Sequence, residues 1–260
     1  MVVSGPLGVM AVILLEAAVG GCAVLWASGV WGAVRRGFFL LTGITIALCA
    51  AGAWALARSE PAAATPEGAW AVLGLGVFAA LCALWVVLLL AKLQRGAHAV
   101  GLLACVAGLA VIPLFAQLRE RAVLAGVAEL ALGALFLGSA LYGLLLGHWY
   151  LVERRLDYRH MVRGAWWYIA GVAGAIGAAA LSALNPAPPV TATSFSPLLA
   201  VPGFTVLLAA GLVTICAMIA GFVWKLAGEG GRSIQAATGY FYLAVILAFS
   251  AELATKLRFF

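Results

Sequence analysis

The chain has 260 residues, 66% of them hydrophobic and only 9% charged, with a mean hydropathy of +1.14 and a formal net charge of +6. An ordinary soluble domain carries about 25% charged residues, so this composition excludes a water-soluble enzyme, a disulfide-stapled secreted domain and a disordered chain. Nearly all of the mass must lie in a bilayer, which an α-helix crosses with about 20 consecutive apolar residues.

Apolar runs separated by charged breaks predict eight spanning helices, at 4–28, 37–57, 69–91, 98–116, 122–150, 163–184, 199–224 and 234–256. The count falls to seven if 199–224 is tilted or partly re-entrant. No basic residue precedes the first run and Glu16 interrupts it, so the pattern is that of a retained helix and not a cleaved signal peptide. The predicted fold is an all-α polytopic transmembrane bundle, one integral-membrane domain over residues 1–260. The longest connector, 185–202, carries Pro186, Pro188, Pro189, Pro197 and Pro202 and reads as an extended external segment. No fixed-period repeat or inverted duplication emerges from the sequence.

Alternating the spans puts Arg35, Arg36, Lys92, Arg95, Arg154, Arg155, Arg159, Arg163, Lys225 and Arg232 on one side and Arg58, Arg119, Arg121, Lys256 and Arg258 on the other. Cytoplasmic loops retain Lys and Arg, so the first side is expected to face the cytoplasm, with both termini outside. Trp149 and Tyr150 at the end of span five, and Trp166, Trp167 and Tyr168 at the start of span six, suit an interfacial aromatic belt on that side. The positive charge then reports orientation and contact with lipid headgroups, not nucleic acid. A bacterial plasma membrane is the expected location.

Helices in lipid associate through close packing at small residues. Ser139, Gly143 and Gly147 recur every fourth residue on span five, and Gly171, Gly174 and Gly177 every third on span six, marking two packing faces. Cys22, Cys49, Cys82, Cys105 and Cys216 fall inside spans without a short metal-ligand or iron-sulfur spacing, as small buried residues do. No metal site is expected.

Ionisable groups inside a span face the bundle interior or a hydrated path, because charge in hydrocarbon costs several kcal/mol. Glu16 lies near the middle of span one, Glu129 in the outer half of span five and Glu252 near the outer end of span eight. Their depths allow all three to approach one pocket. Glu16 and Glu129 are the candidate proton-handling residues. Glu252 has Lys256 one turn away and also reads as half of a structural ion pair.

The histidines form the second constellation. His98 begins span four, His148 ends span five and His160 precedes span six, all on the basic side. His98 and His148 on different helices could ligate one haem b iron. His148 with Trp149 and Tyr150 is a candidate quinone contact, since a quinone's carbonyl oxygens need hydrogen-bond donors beside apolar surface.

These features support three functional classes. The first is a membrane subunit of a respiratory or other electron-transfer complex that binds quinone or quinol, handles protons and depends on partner subunits for its metal centres. The second is a proton-coupled small-solute or ion transporter, and the third a non-catalytic assembly subunit. The short loops and apolar spans are similar to the helical anchor subunits of respiratory oxidoreductases, including polysulfide-reductase-type anchors. That resemblance is one of overall arrangement and implies no residue roles.

Overall fold

The computed structural model describes residues 5–118, 122–153, 155–184 and 203–256. Among them are eight helices long and apolar enough to cross a membrane: α1 (Gly5–Ala27), α2 (Arg36–Ala57), α3 (Pro66–Leu90), α4 (Gln94–Gln117), α5 (Val123–Val152), α6 (Arg159–Leu184), α7 (Phe204–Glu229) and α8 (Ser233–Lys256). The 199–224 run therefore yields a full-length helix, displaced to 204–229, in place of the re-entrant alternative. The 185–202 connector lies outside the described residues, as do Arg119, Arg121, Arg154 and Arg258.

Local chemistry explains where helices begin. The α3 helix starts at Pro66, three residues before the apolar run, because the Thr65 hydroxyl accepts the Gly68 N–H at 3.1 Å and proline occupies the first turn. Such a cap satisfies one of the amide groups that every helix start leaves open. The α3–α4 hairpin turns through Lys92, which holds a left-handed φ of 62°. The α4 helix then begins at Gln94, so His98 sits one turn inside it.

The packing divides the bundle into two halves with the same neighbour pattern. In the first, α1 packs on α2, α2 on α3, α3 on α4 and α4 back on α1; in the second, α5 to α8 repeat that circuit. The helices α1 and α5 pair with each other at the centre and are the most buried spans. An even number of helices per half gives the two halves the same polarity across the membrane. The sequence carries no readable trace of this organisation, since helix packing constrains only sparse small residues and leaves most apolar identities free.

The central pairing depends on glycine. A Cβ on Gly138 would lie 2.0 Å from the Gly20 carbonyl carbon, and one on Gly20 would lie 1.7 Å from the Ala134 carbonyl oxygen. Backbones touch there, which only residues without side chains permit. The predicted small-residue faces are packing surfaces: Gly143 and Gly147 receive Phe241 and Thr238 of α8, and Gly171 of α6 receives Ser139 of α5.

The loops between α1 and α2, α3 and α4, α5 and α6, and α7 and α8 share one end, termed the basic end. Several of its charges bind neighbouring segments. The guanidinium of Arg163 donates to the Ser28 carbonyl at 2.6 Å, Arg36 donates to the Leu89 carbonyl at 2.7 Å, and Arg35 pairs with Glu153 at 2.9 Å. Trp166 is exposed and rests edge-on against Trp224, as an interfacial residue would, but Tyr168 is fully buried between Phe136 and Phe241. The helical turn carries Tyr168 to the opposite face from Trp166, which removes it from the predicted aromatic belt.

Candidate functional site

Lys256 organises the first site. The sequence places this cation at the outer boundary with the other loop charges, yet its side chain is 1% exposed and enclosed by the bundle. Its ammonium bonds Glu16 Oε2 at 2.8 Å and the carboxylate of Glu252 one turn back on its own helix. Glu16 comes from α1 in the first half and Lys256 from α8 in the second, so the pair bridges the two halves. Gly133 of α5 makes room for it: a Cβ there would lie 2.6 Å from Glu16 Oε1.

Glu129 is also buried and borders the same small cavity as Glu252. The two carboxyl groups line a narrow cavity of about 10 Å³ together with Ala175, Ala178, Val213, Ala251 and Thr255. That volume is near the lower limit for one water molecule. Glu16, Glu252 and Glu129 thus reach one contiguous region, as their depths imply, with Lys256 as its cation. Three carboxyl groups and one ammonium are held together in a low-dielectric interior. Burying ionisable groups is costly unless they are paired, and the ion pairs to Lys256 meet that requirement for Glu16 and Glu252.

The missed member has a sequence signal. Glu252 and Lys256 stand at i and i+4 on one helix face, and this ion pair was legible. What sequence spacing leaves open is its direction, since the same pair fits an exposed rim or an inward face. Packing of α8 against α1 and α5 decides the matter.

The histidines occupy separate environments. His98 is exposed and stands edge-on to Trp26 and Trp31, at 4.8 and 5.1 Å between ring centres. His148 is exposed on α5, with its Nδ1 3.4 Å from the Tyr242 hydroxyl of α8. Among the described residues no hydrogen bond or ring contact joins His98 to His148.

Trp149 and Tyr150 are committed to structure. The indole N–H of Trp149 donates to Glu153 at 3.0 Å, and its ring covers Gly37. The Tyr150 hydroxyl donates to the Asp157 carbonyl and accepts the Met161 amide at 3.2 Å, pinning the α5–α6 turn. Its ring also borders an open cleft of about 480 Å³ shared with Asp157, Tyr158, Arg232 and Gln235. Of the proposed trio, His148 retains the most accessible polar atoms.

A second cleft at the basic end, of about 390 Å³, lies between the α1–α2 loop and the start of α4. Trp31, Gly32, Gln94, Arg95, Ala97 and His98 line it. Behind it, Trp31 is sandwiched between Trp26 and Phe39, with ring centres 3.9 and 4.1 Å away and nearly parallel planes.

Several hydroxyl groups of the spans are satisfied within their own helices. Thr45, Thr214, Thr238 and Ser250 each donate to the carbonyl four residues earlier. Cys22, Cys82 and Cys105 converge from α1, α3 and α4 as buried thiols, an association unseen in their spacing. No cluster of three or more metal-ligating side chains with suitable geometry occurs among the described residues.

No protein-family model matches the sequence, and neither the curated proteins nor the solved structures include a significant match.

Proposed function

We propose that this chain is the proton-handling, quinone-facing membrane subunit of an electron-transfer complex. The observation that carries the reading is the buried Glu16–Lys256–Glu252 cluster, with Glu129 across a small cavity. Carboxyl groups held inside a spanning bundle are a means of binding and passing protons where the surrounding hydrocarbon offers none. Lys256 joins Glu16 and Glu252 at one ammonium, so a proton gained or lost at this cluster meets charged partners already in place.

Quinone chemistry supplies the proton demand. One quinone accepts two electrons and two protons to become quinol; here the electrons come from metal centres of partner subunits and the protons reach the headgroup through protein side chains or water. Both exposed histidines lie at the basic end, beside membrane-edge aromatic residues. The excess of basic residues orients that end toward the cytoplasm and both termini outward, and a bacterial plasma membrane is the setting that fits. Partner subunits, quinone and membrane lipids are therefore the proposed associates.

Native purification with mass spectrometry of co-purifying chains and bound small molecules tests this reading. Redox subunits and quinone are expected, with E16Q or E129Q changing the pH profile of quinone turnover in assembled complex. Unchanged turnover, pH profile and assembly in both variants would refute the proton-handling role.

One observation favours the transporter alternative: the Glu16–Lys256 pair joins two similarly packed halves, whose rocking could open and close a path between them. Solute-dependent proton uptake by the isolated chain in vesicles would establish that reading instead.

A further inference from the structure

We infer that the cleft formed by Trp31, Gln94, Arg95 and His98 is a quinone-headgroup site, an assignment that rests on the quinone-facing reading above. It differs from the His148–Trp149–Tyr150 region, where Trp149 and Tyr150 already spend their polar atoms on Glu153 and the α5–α6 turn.

Three observations support the assignment. The cleft of about 390 Å³ falls within the range of small-molecule sites. Its polar lining consists of groups able to donate hydrogen bonds: the Gln94 amide, the Arg95 guanidinium and the His98 imidazole, with no carboxylate among the lining residues. A ligand complementary to that set presents acceptor oxygens, as the two carbonyl groups of a quinone do. Finally, Trp31 gives the cleft an aromatic wall beside those donors, the apolar surface that a quinone ring would lie against.

The wall is also rigid. Trp26 and Phe39 cover the two faces of Trp31, and His98 is held edge-on to both tryptophans. A ligand meeting this wall finds oriented donors and apolar ring edges already in place, which limits the ordering cost of binding. Gln94, Arg95 and His98 lie within about one and a half turns at the start of α4, so one helix end sets their spacing. An anionic lipid headgroup also presents acceptor oxygens, but it makes no use of the aromatic wall, and the quinone is the better match.

The test uses the full chain in phosphatidylcholine nanodiscs with a short-tailed azidoquinone, photolysed with and without excess decylubiquinone. Competable labelling is expected on residues 31–32 and 94–98, falling at least tenfold in a Q94A/H98A double variant whose unfolding temperature matches the parent. Specific labelling confined to the His148–Tyr242 surface would overturn this site while preserving the quinone-facing reading. Absence of specific labelling anywhere would overturn both. Nanodiscs containing phosphatidylglycerol provide the remaining arm: retention of that lipid, lost in R95A, without competable quinone labelling at the cleft would assign the cleft to lipid and overturn the proposal.

Discussion

Replacing Lys256 with methionine isolates the energetic role of the buried charges. The substitution keeps a long, flexible side chain but deletes the cation shared by Glu16 and Glu252. Lys256 and Glu16 are each 1% exposed and Glu252 is 5% exposed, so solvent cannot replace the lost partner. Removing one member of a buried ion pair costs about 3–5 kcal/mol, because the remaining charge stays desolvated. At roughly 2–4 °C per kcal/mol for a chain of this size, the unfolding midpoint should fall by roughly 6–20 °C. The matched control is the triple variant E16Q/E252Q/K256M, which removes the charges together and should lie within about 2 kcal/mol of the parent, or above it. Both are read by intrinsic-fluorescence unfolding in nanodiscs at fixed lipid composition. If K256M unfolds with the parent, or the triple variant is no more stable than the single one, uncompensated charge is not what Lys256 relieves.

Other substitutions separate backbone packing from surface charge. Gly138→Leu should abolish accumulation of folded protein, measured by fluorescence size-exclusion chromatography, since even a Cβ would collide with Gly20 on α1. Arg163→Ala should cost about 1.5–3 kcal/mol in the same unfolding assay, the range for a hydrogen bond from a charged donor, because it leaves the buried Ser28 turn without its link to α6. By contrast, Arg35→Ala should cost less than about 1 kcal/mol: Arg35 is 80% exposed, its pair with Glu153 is screened by water, and Glu153 keeps its hydrogen bond from Trp149. Reporter fusions at either terminus should show both ends outside; a cytoplasmic signal from either would refute the orientation drawn from the basic loops.

Hydropathy was enough to locate the spans because lipid imposes a severe local requirement: backbone polar groups must be satisfied inside each helix and side chains must tolerate hydrocarbon. Boundaries shifted where capping chemistry acted outside the apolar run, as Thr65 and Pro66 show at α3. Residue depth was similarly legible. Glu16, Glu129 and Glu252 reach one region of the bundle because their positions along three helices already matched.

Lateral arrangement was not legible. A spanning helix can turn any face toward its neighbours without changing its hydropathy, so spacing alone left Lys256 at a rim and Tyr168 in an aromatic belt. Packing of α8 against α1 and α5 turns Lys256 inward to Glu16, while packing of α6 between its neighbours buries Tyr168. The same freedom concealed the convergence of Cys22, Cys82 and Cys105. The sequence by itself determined that the chain is a membrane bundle of seven or eight spans and how deep its charges lie, since each follows from local contact with lipid. Only the tertiary structure decided which charges meet and which donors share a cleft, because those depend on the rotation and order of helices that close packing selects.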